Sequence, residues 1–229
     1  MRNRVFFCLL ALTLMFLASP QVHADDDALP FYLSAKVASS FMHVDDWELI
    51  GVTGNTDDLD DSDTVAGFGA AIGYNFDDHG APIRTEIEYM NRSDFDYSYS
   101  DNNMSADADI NAQTFFLNAY LDWHNDTKFI PYVGAGLGLA VIKTSMSAID
   151  KWADPHTGRS TESNFAWNIG AGTAYSFTDN FLIDLGYRYV DFGKARGTED
   201  AYACNNFETV TYSSNITSHE IILGFRFQF

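Results

Sequence analysis

The chain has 229 residues, 46% hydrophobic and 15% aromatic, and its 32 acidic side chains outweigh 13 basic ones for a formal charge of −19. So acidic a chain has no basic patch with which to meet phosphates, which excludes nucleic acid as a partner. Two cysteines cannot build the dense disulfide framework of a small secreted scaffold.

Met1-Arg-Asn-Arg4 is a basic start, Val5 to Ala18 is an uncharged apolar run, and Val22 and Ala24 offer a signal-peptidase site. Residues 1–24 are therefore expected to be a cleaved signal peptide, with 25–229 as the mature domain. A membrane anchor needs about 20 apolar residues, and this run is shorter and is followed by Asp25-Asp-Asp27. Losing Arg2 and Arg4 leaves 11 basic against 32 acidic residues, a charge of −21. Cys8 leaves with the signal, so Cys204 has no intramolecular partner. The mature chain holds no apolar run long enough for a membrane helix, and without one only a closed barrel can cross a bilayer.

Period-two alternation then recurs eight times. In 31–42, Phe31, Leu33, Ala35, Val37 and Phe41 oppose Tyr32, Ser34, Lys36 and Ser40. In 64–76, Phe68, Ala70, Ile72, Tyr74 and Phe76 oppose Gly67, Gly69, Ala71 and Gly73. In 82–95, Ile83, Thr85, Ile87 and Tyr89 oppose Arg84, Glu86, Glu88 and Arg92. In 111–123, Phe115, Leu117, Ala119, Leu121 and Trp123 oppose Thr114, Asn118, Tyr120 and Asp122. Segments 130–142 and 164–177 set apolar residues against Gly134, Gly136, Gly138, Gly170 and Gly172, and 181–192 opposes its aromatics with Asp184, Gly186 and Arg188. The last strand places Ile221, Leu223, Phe225, Phe227 and Phe229 on one face, and Glu220 and Arg226 on the other.

Long polar connections at about 43–63, 96–110, 143–163 and 193–216 alternate with short turns at 77–81, 124–129 and 178–180. That rotation fits an all-β fold, an eight-stranded antiparallel up-and-down transmembrane β-barrel, with long loops outside and both termini periplasmic. Outward aromatics gather toward both rims, as interfacial belts do. Lys36, Arg84, Glu86, Glu88, Arg92, Asp122, Asp184, Arg188, Glu220 and Arg226 are expected inside. There they either pair into a packed polar core, the interior of eight strands being just wide enough for side chains, or line a narrow ion path.

Phe31-Tyr-Leu-Ser-Ala-Lys36, Asn118-Ala-Tyr-Leu-Asp122, Pro131-Tyr-Val-Gly-Ala-Gly-Leu-Gly138, Leu185-Gly-Tyr-Arg-Tyr-Val-Asp-Phe-Gly193 and Gly224-Phe-Arg-Phe-Gln-Phe229 together resemble the opacity-protein and surface-antigen group of small outer-membrane barrels. The resemblance covers the strands and not the loops. It implies residence in the outer membrane of a Gram-negative bacterium, contact with lipopolysaccharide, and insertion by the barrel-assembly machinery, which reads the terminal aromatic strand.

Within the loops, Asp45, Asp46, Glu48, Asp57, Asp58, Asp60, Asp61 and Asp63 supply the oxygens Ca²⁺ takes, but without the glycine and closing glutamate of an EF-hand. The expectation is a solvated acidic loop, with no metal and no cofactor. His43 near Ser39 and Ser40, and His219 near Ser218 and Glu220, supply the residue types of an acyl hydrolase without a nucleophile motif. Cys204 is read as a bystander, and Trp152 with Pro155-His-Thr-Gly158 as a contact followed by a turn. The expected function is a monomeric surface protein, an adhesin or antigen that meets a host ligand through its loops and is not an enzyme. A small channel and a lipid-modifying enzyme are the alternatives.

Overall fold

The computed structural model describes residues 29–50, 61–77, 80–100, 104–150, 156–203 and 206–229. Nine strand segments make one sheet: β1 (Phe31–Ile50), β2 (Asp61–Asn75), β3 (Ile83–Arg92), β4 (Phe95–Ser100), β5 (Met104–Asp122), β6 (Phe129–Asp150), β7 (His156–Ser176), β8 (Phe181–Ala203) and β9 (Asn206–Gln228). The segments β3 and β4 both pair with β5 and form one stave of the barrel, broken at Ser93-Asp94. Each neighbour pair is antiparallel, β1 joins β9, and β3 joins β5, so eight staves close without an edge. At the break, the Asn111 side-chain amide donates to Arg92 O at 2.7 Å and to Asp94 Oδ1 at 3.0 Å, replacing ladder bonds there.

The seam is sealed to its end. Phe229 N donates to Phe31 O at 3.2 Å, and Gln228 N to Asn180 O at 2.8 Å. Short turns close this rim. Gly80, at φ 73°, takes the left-handed conformation in the turn from β2 to β3 and donates to Asp77 O at 2.8 Å. At the other rim Gly193, at φ 76°, sits in a bulge between Asp191 and Lys194, its N–H bonded to Asp191 Oδ1 at 2.8 Å.

The apolar phase faces outward. Phe68, Ile87, Leu117, Leu137 and Phe165 are each at least 59% exposed. Tyr89 with Phe115 (centroids 4.9 Å) and Trp167 with Tyr189 (5.5 Å) lie toward one border of this band. Phe31 with Tyr74 (5.1 Å) and Phe129 with Tyr175 (5.1 Å) line the other.

The four long connections are corrected. Strand pairing continues into all of them, to Val44 with Asp61, Ser100 with Ser105, Ala148 with His156, and Ala203 with Asn206. Beyond a bilayer both faces of a hairpin meet water, so polar residues occupy both phases and the alternation that marks a half-buried strand disappears. Backbone pairing does not need that alternation, and a run such as Thr209-Val-Thr-Tyr212 suits a strand well. The expected signal at 1–24, the tip carboxylates Asp57, Asp58 and Asp60, and Trp152 and Cys204 lie outside the described residues.

Candidate functional site

Inside the barrel the ten expected charges stand as five cations and five carboxylates. Glu86, 2% exposed, is a hub: Lys36 Nζ donates to it, as do Tyr120 (2.9 Å) and Tyr32 (3.1 Å). Lys36 also reaches Glu88 at 2.6 Å, and Arg188 Nη1 meets the other oxygen of Glu88 at 2.6 Å. Arg188 Nε then donates to Glu220 Oε2 at 2.7 Å, while Glu220 Oε1 accepts from Arg92 at 2.6 Å and Ser40 at 2.8 Å. One chain of ion pairs thus runs Glu86–Lys36–Glu88–Arg188–Glu220–Arg92 and ties β3, β1, β8 and β9 together. Arg84 grips Asp122 at 2.8 and 3.0 Å, and Arg226 meets Asp184 at 3.1 Å. Charges this buried are tolerable because each is paired and hydrogen-bonded.

The inward glycines of β2, β6, β7 and β8 face the long side chains. A Cβ at Gly73 would fall 2.1 Å from the Tyr32 ring, and one at Gly134 2.3 Å from Tyr120. Gly172 and Gly186 receive the Tyr132 hydroxyl. Arg84 stacks over Tyr120 and Tyr132, 4.0 and 4.8 Å from their centroids. A polar cavity of about 40 Å³ remains among Lys36, Arg84, Tyr132, Asp184 and Arg188, room for roughly three waters.

Toward the long-hairpin rim the lumen becomes apolar, which the sequence reading did not single out. Met42, Val65, Met90, Phe116, Ile142, Val190, Phe192 and Ile216 are each at most 5% exposed. They share the lumenal phase of their strands with the charges, and that phase was the signal available for finding them. An ion crossing this layer would shed its water among largely apolar side chains, which costs free energy.

The hydrolase candidates do not assemble. Ser40 is buried in the lumen on Glu220, while His43 lies on the opposite phase of β1. Ser39 shares the outward phase with His43, but four residues of strand separate them by roughly 13 Å. On β9, Ser218 and Glu220 point inward, whereas exposed His219 meets the Tyr187 hydroxyl at 2.6 Å. Among the described residues no group of three His, Cys, Asp or Glu side chains is placed to hold a metal.

A closed barrel of eight staves, an exposed apolar band with aromatic borders, and an interior of paired charges define a small membrane-spanning surface barrel. The chain belongs to the outer membrane protein beta-barrel family, whose model matches residues 8–229. Outer membrane protein PagN of Salmonella typhimurium is 32% identical over 175 residues, which is 72% of this chain and 73% of that protein. A Rickettsia typhi protein whose name proposes it as an adhesin is 27% identical over 111 residues, 48% of each chain. The crystal structure of OprG from Pseudomonas aeruginosa superposes with a TM-score of 0.54 at 16% identity, covering 88% of this chain and 97% of that one, a likeness of fold alone. The protein is an outer-membrane surface protein.

Proposed function

We propose that this barrel is a non-catalytic adhesin whose outer hairpins make the contact while the wall and lumen only hold them. The carrying observation is the closed lumen: paired charges and an apolar layer leave the interior nothing to transport. The relative from Rickettsia typhi, whose name proposes it as an adhesin, supports the same reading. Residues 43–63 carry eight carboxylates and no lysine or arginine, and 96–110 carry four, so these hairpins suit a basic patch on a host surface protein.

The test is binding of the folded barrel to cultured host cells, beside a version whose first and second outer hairpins are trimmed to short turns at Val44–Asp61 and Phe95–Ile110. The trimmed barrel should keep heat-modifiable gel mobility and lose binding at physiological salt. Equal binding by both would refute the proposal.

A further inference from the structure

We infer that the open outer edge of β4, in an acidic cleft between β4 and the outer end of β2, takes up an extended basic segment of the partner protein as an added strand. Resting on the adhesin reading, such a site narrows the partner's basic patch to a basic strand.

The barrel does not stay closed to its outer end. The ladder between β2 and β3 ends at Gly67 with Arg92, and Ser93 N then donates to Ala66 O at 2.8 Å. Beyond that point, among the described residues, residues 61–66 of β2 pair only with β1, and Phe95–Ser100 of β4 pair only with β5. Across the barrel the ladder between β7 and β8 ends at Trp167 with Asp191, while β7 continues on β6 to His156 and β8 continues on β9 to Ala203. The outer end is therefore two four-stranded sheets, β2–β1–β9–β8 and β4–β5–β6–β7, whose open edges line two clefts.

Open edges invite strand pairing, and the two clefts differ in how they meet it. The β7–β8 cleft carries devices that blunt an edge: a bulge between Asp191 and Lys194, Lys194 and Arg196 on β8, and Gly158 and Arg159 on β7. The β2–β4 cleft has none of these. Its two registers are unbroken, and 61–66 and 94–100 contain no lysine, arginine, glycine or proline. Phe95, Tyr97 and Tyr99 are residues that favour strands. Along this edge, about 20 Å long, every second residue turns both its N–H and its C=O to the open side. Only another extended backbone satisfies that pattern in full.

The charge of the cleft selects the partner. Asp61, Asp63, Asp94 and Asp96 lie in these two segments without a cation, and Asp63 and Asp94 are exposed. Another acidic edge, that of a second copy included, is repelled, whereas a strand carrying lysine or arginine is attracted.

The full mature chain, folded into phosphatidylcholine nanodiscs, would be titrated with an octapeptide of alternating lysine and valine. Two further octapeptides carry N-methyl groups on the backbone nitrogens of all the lysines or of all the valines, which keeps the charge and removes the ladder donors of one side. At least one of these two should bind tenfold or more weaker, roughly one ladder hydrogen bond's worth. Equal binding by all three would overturn strand addition. An octapeptide with glutamate for lysine should also bind at least tenfold weaker, and equal binding would overturn selection by the carboxylates. Y97P/S98P removes two adjacent backbone donors, one of which faces the open edge. It should abolish binding of the lysine peptide, and T198P/E199P on the β8 edge should leave binding unchanged; the reverse pattern would overturn the assignment to β4. Heat-modifiable mobility verifies that each variant is folded. Barrels that associate with one another without peptide, and lose that association in Y97P/S98P, would assign the edge to a second copy and overturn the proposal. No host cell enters the measurement, so its failure leaves the adhesin reading to its own test.

Discussion

Glu220→Ala is expected to lower the unfolding free energy by about 3–5 kcal/mol, measured by urea unfolding of the barrel in lipid vesicles. Glu220 is fully buried and accepts three hydrogen bonds, from Arg92, Arg188 and Ser40. Its removal leaves Arg92 with the neutral hydroxyl of Thr114 at 3.2 Å. Arg188 keeps Glu88, but Glu88 is already shared with Lys36. The cost arises from an uncompensated buried cation rather than from lost attraction, which predicts a second result. R92M/E220M removes charge on both sides and should recover most of the loss, because an apolar pair of similar volume often replaces a buried ion pair at little cost. A double variant as unstable as E220A would show that the pairing is incidental.

Leu117→Arg should destabilise the barrel in lipid by about 2–4 kcal/mol, read by the same unfolding measurement. Leu117 is 62% exposed and pairs with Ile87 on one side and Leu137 on the other. In a water-soluble sandwich an exposed leucine could become arginine within about 0.5 kcal/mol. Here the same position lies one row from Ala119, the midpoint of the outward run Phe115 to Trp123, so the guanidinium would enter the hydrocarbon centre. Thr64→Arg, at an exposed position on the outward phase of β2 past Phe68 and Ala66, should change stability little. Equal, small effects at both positions would mean that the exposed apolar face does not meet lipid.

The wall of this barrel was legible because lipid imposes a strict rule. Apart from Ser39, each outward residue from Phe31 to Phe41, and each from Phe181 to Tyr189, is apolar or aromatic, so the alternation names the strands and their phase. The phase in turn placed all ten charges inside. Their partners were not legible: Ser40 and Glu220 are 180 positions apart, and only closure of β1 on β9 brings them together. The apolar layer of Met42, Phe116 and Phe192 escaped notice because a lumenal phase was read as polar throughout. The outer hairpins escape the pattern for a related reason, since runs such as Ser213-Ser-Asn215 set polar residues on both phases and end the alternation.

A sealed interior leaves the work of this protein to its outer surface. Single-channel recording of the folded wild-type barrel in planar bilayers tests it most directly. The paired charges and the layer around Phe116 and Phe192 predict a flat trace without discrete steps in potassium chloride. Reproducible unitary steps from folded wild-type protein would contradict it.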